Sequence, residues 1–419
     1  MINTIIFLAG LVIYAGYGMS GLAFLLAVTS ASYLTGLLTP RYKWVMWISV
    51  LLYAGILLAI KLQPVTGWEL LAPMGASYFL LRTISYNVDI YRGKYPPESS
   101  FLRYSLYVTY LPNIFLGPIE RCDRFLQAAY EDRHITWDDL SSGAARILWG
   151  GFKKLAIATR AGVVVGTISA APEQYRGGYA LLAMLLYSLQ LYADFSGGID
   201  MVLGVSRMLG IRQSENFNAP YFSQSFQEFW RRWHMTLGGW LREYVYIPLG
   251  GNRKGKFRKY LNSIITFLVS GLWHGIHYLL WGLINGIFVS LGEKCKTKWK
   301  LLNQVGTFLL VSFLWSFFIW PDTLTAVKLA ASVFTTFNYT SVAASLLTLG
   351  LDPGEWIVLL VSAAALWIYD WKSNTIQEKY RTLTPAGRVA VCCTLGLIIL
   401  IFGMYGIGFH AEEFIYSNF

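Results

Sequence analysis

Long apolar runs constrain the fold of this chain more than any other feature. Residues 22–38, 45–60 and 301–320 are such runs, and each approaches the ~20 helical residues needed to cross ~30 Å of hydrocarbon. Hydrophobic residues make up 55% of the chain and charged residues only 14%, whereas soluble domains carry about 25% charged residues. The sequence therefore predicts an all-α polytopic membrane protein with roughly ten transmembrane helices and additional re-entrant and interfacial helices.

The apolar runs continue along the whole sequence, so we expect a single transmembrane domain over residues 1–419. Its expected parts are N-terminal helices at 1–100, a functional core at 110–295 that contains a re-entrant segment at 206–251, and C-terminal helices at 296–419. The first apolar run has no basic region before it and no small-residue cleavage site after it, which predicts a retained first helix.

The basic residues lie in short stretches between the apolar runs. These clusters occur at residues 41–43, 92–94, 251–260, 294–300 and 372–388. The C-terminal tail instead carries Glu412 and Glu413 and no Lys or Arg. By the positive-inside rule the clusters face the cytoplasm and the tail faces outward. Membrane topology thus accounts for the net charge of +11, and nucleic acid is not expected as a partner.

His274 lies in the apolar stretch "SGLWHGIHYLLWGLING" at residues 270–286. Tyr260 and Lys294 both belong to cytoplasmic clusters, so the residues between them enter the membrane and return. The 14 residues from Tyr260 to His274 rise about 21 Å as a helix, which puts His274 deep in a ~30 Å core. An ionisable group at that depth is a functional hypothesis by default, and the alternative is a histidine hydrogen-bonded between packed helices.

His277 follows three residues later and could share a helical face with His274. The spacing permits a His-x-x-His metal site, but no carboxylate or third ligand lies nearby in the sequence. The four cysteines have no zinc-like spacing either. A position in the core or at a helix interface is therefore favoured for His277, and no metal is expected.

The segment 206–251 mixes aromatic and charged residues, among them Trp230, Arg242 and Glu243. It cannot be a lipid-facing span, because a charge at the bilayer centre costs at least about 2.5 kcal/mol. Re-entrant or interfacial helices would keep the rings at headgroup depth and turn the charges toward an aqueous vestibule. A basic vestibule suits a phosphate-bearing donor such as a coenzyme A thioester, or a charged carrier protein. The alternative for each arginine is snorkelling to the membrane surface.

Two neighbouring stretches carry polar or helix-breaking residues in apolar surroundings. Asp194 and Asp200 end a long apolar run, which implies pairing with arginines of the next segment or contact with water. Residues 110–125 contain Pro112, Gly117 and Pro118, so this stretch is expected to break rather than to span.

Several stretches resemble the membrane-bound O-acyltransferase (MBOAT) family. They are "ENFNAPYFSQSFQEFWRRWHMTLGGWLREYVYIPLGGNRKG" followed by "SGLWHG", and also "NIFLGPIER", "DFSGGIDMVLGVSRMLGI" and the ending "EEFIYSNF". The resemblance covers about residue 110 to the C-terminus and is closest to the bacterial branch of alginate O-acetyltransferase membrane subunits, with D-alanyl teichoic acid transferases more distant. This chain has "SGGID" where relatives have Ser-Gly-Tyr-Ser-Asp, so an aromatic ring and a hydroxyl are missing beside Asp200.

The resemblance implies a ring of transmembrane helices around a thin partition, where a cytoplasmic and an extracytoplasmic funnel meet at the family's invariant histidine. That histidine matches His274, and the second functionally sensitive histidine of the bacterial branch matches His234. Both are candidate catalytic residues, with His274 as the base that takes the proton of the acceptor hydroxyl. The candidate substrate- or donor-binding residues are Asn216, Arg231, Arg232, Trp233, Trp273 and Asp194.

The implied function is that of a membrane O-acetyltransferase. It would move an acetyl group from cytoplasmic acetyl-CoA, or another acyl thioester, to a hydroxyl of an extracytoplasmic polysaccharide or partner protein. The expected partners are membrane lipid, the acyl donor, the polysaccharide acceptor and an extracytoplasmic acetyltransferase, and the expected location is the bacterial inner membrane. No bound cofactor is expected, and no covalent acyl-enzyme, because no Gly-x-Ser-x-Gly elbow accompanies the histidines.

Three alternatives stay open. The first is D-alanyl transfer from a carrier protein to teichoic acid, and the second is a eukaryotic-type lipid or protein acyltransferase. The third is a secondary transporter, which should show two corresponding halves, whereas the charged aromatic segment has no internal repeat.

Overall fold

The computed structural model describes residues 2–131, 133, 135–291, 297–320 and 322–405. Throughout these residues the regular elements are helices, so the predicted all-α class is confirmed. Glu412 and Glu413 lie outside the described residues, as does part of the basic cluster at 294–300.

The N-terminal part is a group of four helices, the last of which is almost completely buried. They are α1 (Ile2–Ala15), α2 (Met19–Leu38), α3 (Trp44–Thr66) and α4 (Ala76–Tyr91). Nearly all of α4 is buried, whereas α2 and α3 expose large apolar side chains such as Leu34, Leu51 and Leu52. A helix that is apolar and exposed in this way needs lipid as its solvent.

The stretch predicted to break does so. It folds as α5 (Phe101–Thr109), the five-residue α6 (Leu111–Phe115) and α7 (Cys122–Leu126). The buried guanidinium of Arg82 on α4 donates hydrogen bonds to the backbone oxygens of Tyr107, Val108 and Asn113. These bonds satisfy carbonyls at the end of one helix and the start of the next, which is the requirement for broken helices away from water.

The centre of the protein is a pair of long, closely packed helices. The first consists of α8 (Trp137–Phe152), a π-helical turn at Lys153–Ala158 and α9 (Thr159–Ala170), and the second is α10 (Gly178–Met208). A Cβ atom on Gly150 would lie 2.4 Å from the backbone oxygen of Gly197. Only glycine permits this approach, as is typical of helix crossings in membranes.

The segment 206–251 contains only short helices after the end of α10. They are α11 (Phe226–Arg232) and α12 (Met235–Leu241), preceded by a 3-10 turn at Pro220–Phe222 and followed by a π-helical turn at Arg242–Tyr246. Seven residues rise only about 10 Å, so neither α helix can cross a bilayer. Placement of this segment as re-entrant stays a prediction.

The remaining helices complete the bundle. They are α13 (Gly255–His274), α14 (Leu279–Leu291), α15 (Lys300–Leu314), α16 (Ser316–Ile319), α17 (Thr323–Thr335), α18 (Tyr339–Ala344), α19 (Pro353–Thr382) and α20 (Pro385–Phe402). Helices α13 and α14 form an antiparallel hairpin, and α10 contacts α15 and α17. Helix α13 also contacts the π-helical turn at Arg242–Tyr246, and α14 contacts α11. The hairpin therefore lies beside the short helices of the segment 206–251.

Five helices in the described part of the chain are long and apolar enough to cross a membrane. They are Met19–Leu38, Trp44–Thr66, Lys300–Ile319, Pro353–Thr382 and Pro385–Phe402. Three shorter apolar helices are Ile2–Ala15, Ile276–Leu291 and Thr323–Thr335. These helices agree with a multi-pass membrane protein, while the count of roughly ten spans stays a prediction.

Candidate active site

His274 is the last residue of α13 and is buried, with 6% of its surface exposed. Gly275 ends the helix with a φ of 149°, a conformation open to glycine but not to residues with a Cβ atom. One turn earlier, a Cβ on Gly271 would lie 2.5 Å from the backbone oxygen of Tyr278. The glycines of "SGLWHG" thus bring the chain after α13 directly against the turn that carries His274.

Aromatic rings surround His274. The centroid of its ring lies 4.7 Å from that of Trp273, 5.6 Å from Trp281, 5.7 Å from Phe318 and 6.3 Å from Tyr278. All four pairs are close to perpendicular, the edge-to-face arrangement that aromatic pairs favour. The rings hold the imidazole in one orientation and exclude bulk water from it.

His234 lies close to the same cluster. Its ring centroid is 6.2 Å from that of Trp273 and 4.8 Å from that of Phe195 on α10. The structure thus brings His234, Trp273 and His274 together, although His234 and His274 are forty residues apart in the sequence. Trp273 contacts both imidazoles, and its role as a substrate- or donor-binding residue stays a prediction.

A left-handed backbone conformation places His234. Its φ is 45° and its ψ is 52°, and it immediately precedes α12. Among the described residues, Ala219 is the other non-glycine residue with positive φ. Such a conformation costs a residue with a Cβ atom about 1–2 kcal/mol, so packing and hydrogen bonds must hold His234 in it.

The amide of Asn216 supplies such hydrogen bonds. Its Oδ1 atom accepts from the backbone N–H of Thr236 at 3.0 Å and from the Thr236 hydroxyl at 3.0 Å, and it lies 3.2 Å from Nδ1 of His234. A backbone N–H can only donate, so this side-chain atom of Asn216 is the oxygen. The proton of neutral His234 therefore resides on Nδ1, and Nε2 carries a lone pair.

This tautomer defines what the two side chains can do. Neutral His234 can accept a hydrogen bond or a proton at Nε2, but it cannot donate from there to a thioester carbonyl. The Nδ2 group of Asn216 is a buried donor for which the described residues provide no hydrogen-bond acceptor. Of His234 and Asn216, Asn216 is thus the residue that can donate a hydrogen bond to the thioester carbonyl.

His277 was expected in the core or at a helix interface, and the core position is wrong. His277 lies in the 3-10 turn Ile276–Tyr278 and its side chain is exposed. The expectation assumed a continuous helix through residues 274–277, but the break at Gly275 removes the shared face of His274 and His277. A His-x-x-His site is not formed by this geometry.

Asp194 and Asp200 are paired, but not with arginines of the next segment. Asp194 is buried and lies 2.5 Å from Nζ of Lys154, while Asp200 lies 2.6 Å from Nζ of Lys153 and 2.9 Å from Arg146. All three cations come from the preceding helix. The π-helical turn at Lys153–Ala158 explains this, because its extra residue per turn directs both neighbouring lysines toward α10.

The other candidate residues occupy varied environments. Trp233 is buried at 1% exposure and its ring stacks on Phe229 with centroids 5.5 Å apart, so it is part of the core. Arg232 forms a salt bridge of 2.6 Å with Glu228, and Arg231 is exposed. The structure does not bring either arginine to the two histidines through any described contact.

Lys153 and Lys154 were not predicted as part of this region. Lys153 is 3% exposed, and its ammonium also donates to the Ser196 hydroxyl at 2.8 Å. The sequence does carry a signal for them, since two adjacent lysines interrupt the apolar run at residues 147–168. Lysines at such a position require carboxylates nearby, and the structure supplies these from α10.

Comparison with known proteins matches this chain to a family. The model of the membrane-bound O-acyltransferase family matches residues 29–334, which is most of the chain. The chain belongs to the membrane-bound O-acyltransferase family. Both candidate histidines and the whole of the segment 206–251 lie within the matched residues.

Several curated proteins are similar to this O-acyltransferase. A probable alginate O-acetylase of Pseudomonas fluorescens is 34% identical, over 92% of this chain and 81% of its own length. A peptidoglycan O-acetyltransferase of Helicobacter pylori is 31% identical over 62% of this chain and 56% of its own length. A teichoic acid D-alanyltransferase of Streptococcus thermophilus is 30% identical over 62% of this chain and 67% of its own length.

Family membership and the apolar helices confirm two predictions. The protein is an enzyme that transfers acyl groups to hydroxyl oxygens, and it is a membrane protein. The secondary transporter considered as an alternative is therefore wrong. The use of an acyl donor follows from the family, whereas the identity of donor and acceptor requires a proposal.

Proposed function

We propose that this O-acyltransferase is an O-acetyltransferase that moves an acetyl group from cytoplasmic acetyl-CoA to a hydroxyl of an extracytoplasmic polysaccharide. The observation that carries the proposal is the pair of buried histidines, His274 and His234, which both pack against Trp273. A base in a water-excluded site can activate a sugar hydroxyl while the thioester is protected from hydrolysis. The similar alginate and peptidoglycan O-acetylating proteins support the acetyl group and a polysaccharide acceptor.

His274 is the base in this mechanism. Its imidazole takes the proton of the acceptor hydroxyl while the oxygen attacks the carbonyl carbon of the thioester. A carbon–oxygen bond forms, the carbonyl oxygen becomes an oxyanion, and the carbon–sulfur bond then breaks. The leaving thiolate takes the proton from the imidazolium, so the products are the acetyl ester and free coenzyme A, with His274 neutral again.

Asn216 and His234 assist the reaction. The buried Nδ2 group of Asn216 donates to the carbonyl oxygen as its negative charge develops. His234 accepts a hydrogen bond at Nε2 and, through Nδ1, holds the Asn216 amide in orientation. Asn216 thus donates a hydrogen bond in the site and His234 accepts one, and the two side chains contact each other.

The donor binds on the side of the basic clusters. A cavity of about 290 Å³ lies there, lined by Arg242, Arg253, Tyr246 and Asn252 with neighbouring residues. Two guanidinium groups in a cavity can bind the phosphates of coenzyme A, and a tyrosine ring can contact its base. The acceptor enters from the opposite face, where an extracytoplasmic acetyltransferase collects or completes the product.

The test uses the purified protein in lipid nanodiscs with radiolabelled acetyl-CoA and alginate oligosaccharides. We expect label on the oligosaccharide with the wild type and a loss of about 10²–10⁴-fold with His274→Ala, the range of a missing general base. The matched control is His277→Ala, three residues away and exposed, which should keep wild-type activity. Normal transfer by His274→Ala would overturn the assignment of the base.

D-alanyl transfer is the second candidate, supported by the similarity to teichoic acid D-alanyltransferases of Streptococcus thermophilus and Bacillus subtilis. The same nanodiscs are given a D-alanyl carrier protein in place of acetyl-CoA, with a glycerol-phosphate oligomer as acceptor. We expect transfer from acetyl-CoA only. Transfer from the carrier protein alone would replace the acetyl proposal with the alanyl one.

A further inference from the structure

A cavity of about 450 Å³ lies among the N-terminal helices, a volume typical of small-molecule sites. It is lined by the turn between α1 and α2, by the loop between α3 and α4, and by Lys61 on α3. Lys61 is the only charged residue among the described residues that line it. Apart from the one ammonium group of Lys61, the cavity is thus lined by uncharged residues, some of them polar.

The cavity lies at the opposite end of α3 from a basic cluster. Helix α3 begins directly after the cluster at residues 41–43, and Lys61 follows Trp44 by 17 residues. This separation corresponds to about 25 Å along the helix axis. The acyl donor is expected on the side of the basic clusters, so the cavity faces the side from which the acceptor enters.

Lys61 is connected to the reacting centre through a single side chain. Its Nζ atom lies 6.0 Å from the centroid of the Trp273 ring, a cation–π distance. The Trp273 ring in turn lies 4.7 Å from His274. The Trp273 ring therefore lies between the ammonium of Lys61 and the imidazole of the base.

The charge of Lys61 has no counterpart in the described part of the protein. No described carboxylate forms a salt bridge with it, whereas the lysines of the central helices, Lys153 and Lys154, each have an aspartate. A half-buried lysine within a membrane helix usually pairs with a carboxylate or marks a binding path. Snorkelling does not account for Lys61, because its ammonium lies against the buried Trp273 ring and in the cavity.

We infer that Lys61 binds an anionic group of the acceptor, a carboxylate or a phosphate, and so positions a neighbouring hydroxyl at His274. The inference rests on the proposed acyl transfer and adds the chemical class of the acceptor, an acidic glycan or polyol polymer. Because Trp273 separates the two sites, the anionic group and the reacting hydroxyl belong to adjacent parts of one acceptor chain. Lys61 is a specificity-determining residue and takes no part in bond making.

The test compares matched ligands and matched variants. The ligands are a uronic acid tetrasaccharide, its carboxyl-reduced neutral counterpart and a glycerol-phosphate oligomer. The variants are Lys61→Met, Lys61→Arg and Lys43→Met, the last of which removes the same charge at the exposed other end of α3. Binding is measured in nanodiscs of phosphatidylcholine, which carries no net charge, and acetyl transfer is measured separately with acetyl-CoA.

For Lys61→Met we expect both Kd and KM for an anionic ligand to rise about tenfold, with kcat changed by less than about twofold, because only binding is affected. Lys61→Arg should restore most of the affinity, and Lys43→Met should match the wild type. The neutral tetrasaccharide should bind weakly to all variants alike. Preference for the carboxylate or the phosphate ligand then identifies the anion.

Equal affinity of the wild type for the uronic acid and the reduced tetrasaccharide, with no binding of the phosphate oligomer, would overturn the inference. So would a Lys61→Met variant that loses kcat on neutral and anionic ligands alike, since that pattern reports a structural role. Lys61-dependent binding without any acetyl transfer by the wild type would instead contradict the proposed function and leave the anion site standing.

Discussion

Oδ1 of Asn216 lies 3.2 Å from Nδ1 of His234, and the same oxygen accepts two hydrogen bonds from Thr236. One amide thus sets both the tautomer of the histidine and the start of α12. The arrangement requires the chain before the 3-10 turn at Pro220–Phe222 to return to the residues after α11. It links the backbone of the segment 206–251 to the chemistry of the site.

The first prediction concerns Asn216. Asn216→Ala removes the acceptor for His234 and Thr236 and the buried Nδ2 donor, so we expect a large loss of acyl transfer together with a destabilisation of about 1–3 kcal/mol. Transfer is measured with labelled acetyl-CoA, and stability by thermal unfolding in detergent. Asn218→Ala is the control, because its side chain is exposed two residues away. Equal effects of the two substitutions would contradict a special role of Asn216.

The second prediction separates the chemistry of His234 from its backbone strain. Asparagine tolerates the left-handed region, whereas alanine there costs about 1–2 kcal/mol. We therefore expect His234→Asn and His234→Ala to lose activity alike, while His234→Asn unfolds at a clearly higher temperature than His234→Ala. Thermal unfolding and acyl transfer are measured on the same preparations. Wild-type activity in His234→Asn would show that the imidazole is not needed.

The third prediction tests whether Asp194 binds substrate or stabilises the fold. Asp194→Asn leaves the Lys154 charge without its carboxylate, so we expect a loss of about 3–5 kcal/mol of stability. The double variant Asp194→Asn, Lys154→Met removes both charges and should recover most of the stability. If the double variant also recovers acyl transfer, Asp194 acts through the fold. Recovery of stability without activity would favour the predicted donor-binding role.

The fourth prediction concerns the turn that carries His274. In Gly271→Ala the added Cβ would lie 2.5 Å from the Tyr278 backbone oxygen, so α13 and the following turn must separate. We expect a lower unfolding temperature and a marked loss of activity, because His274 moves with the helix end. Gly306→Ala on α15 is the control, since no neighbouring atom lies within 4 Å of its added Cβ. An unchanged Gly271→Ala variant would refute the steric argument.

The sequence predicted the type of fold well, and the structure brings its two candidate catalytic histidines to the same tryptophan ring. Apolar runs indicate membrane helices because the bilayer requires them, and Pro and Gly in residues 110–125 indicated the break that the structure contains. The MBOAT resemblance indicated His274 and His234, and the family is confirmed. Their roles stay predictions until the variants are measured.

The pairing of side chains was predicted less well. Asp194 and Asp200 were expected to meet later arginines, but the cations come from the preceding helix. His277 was expected in the core or at a helix interface, and its side chain is exposed rather than in the core. In both cases a local change of helix geometry, the π-helical turn at Lys153–Ala158 and the break at Gly275, altered which side chains face each other.

The sequence by itself determined that this chain is a helical membrane protein, because composition and apolar length depend on the solvent and not on neighbouring helices. The tertiary structure decided which polar groups meet. Only the folded chain brings Asn216 to His234, Trp273 between Lys61 and His274, and two lysines of one helix to the aspartates of another. The physical reason is that a buried charge or imidazole is stable only beside suitable partners, and these partners come from distant parts of the chain.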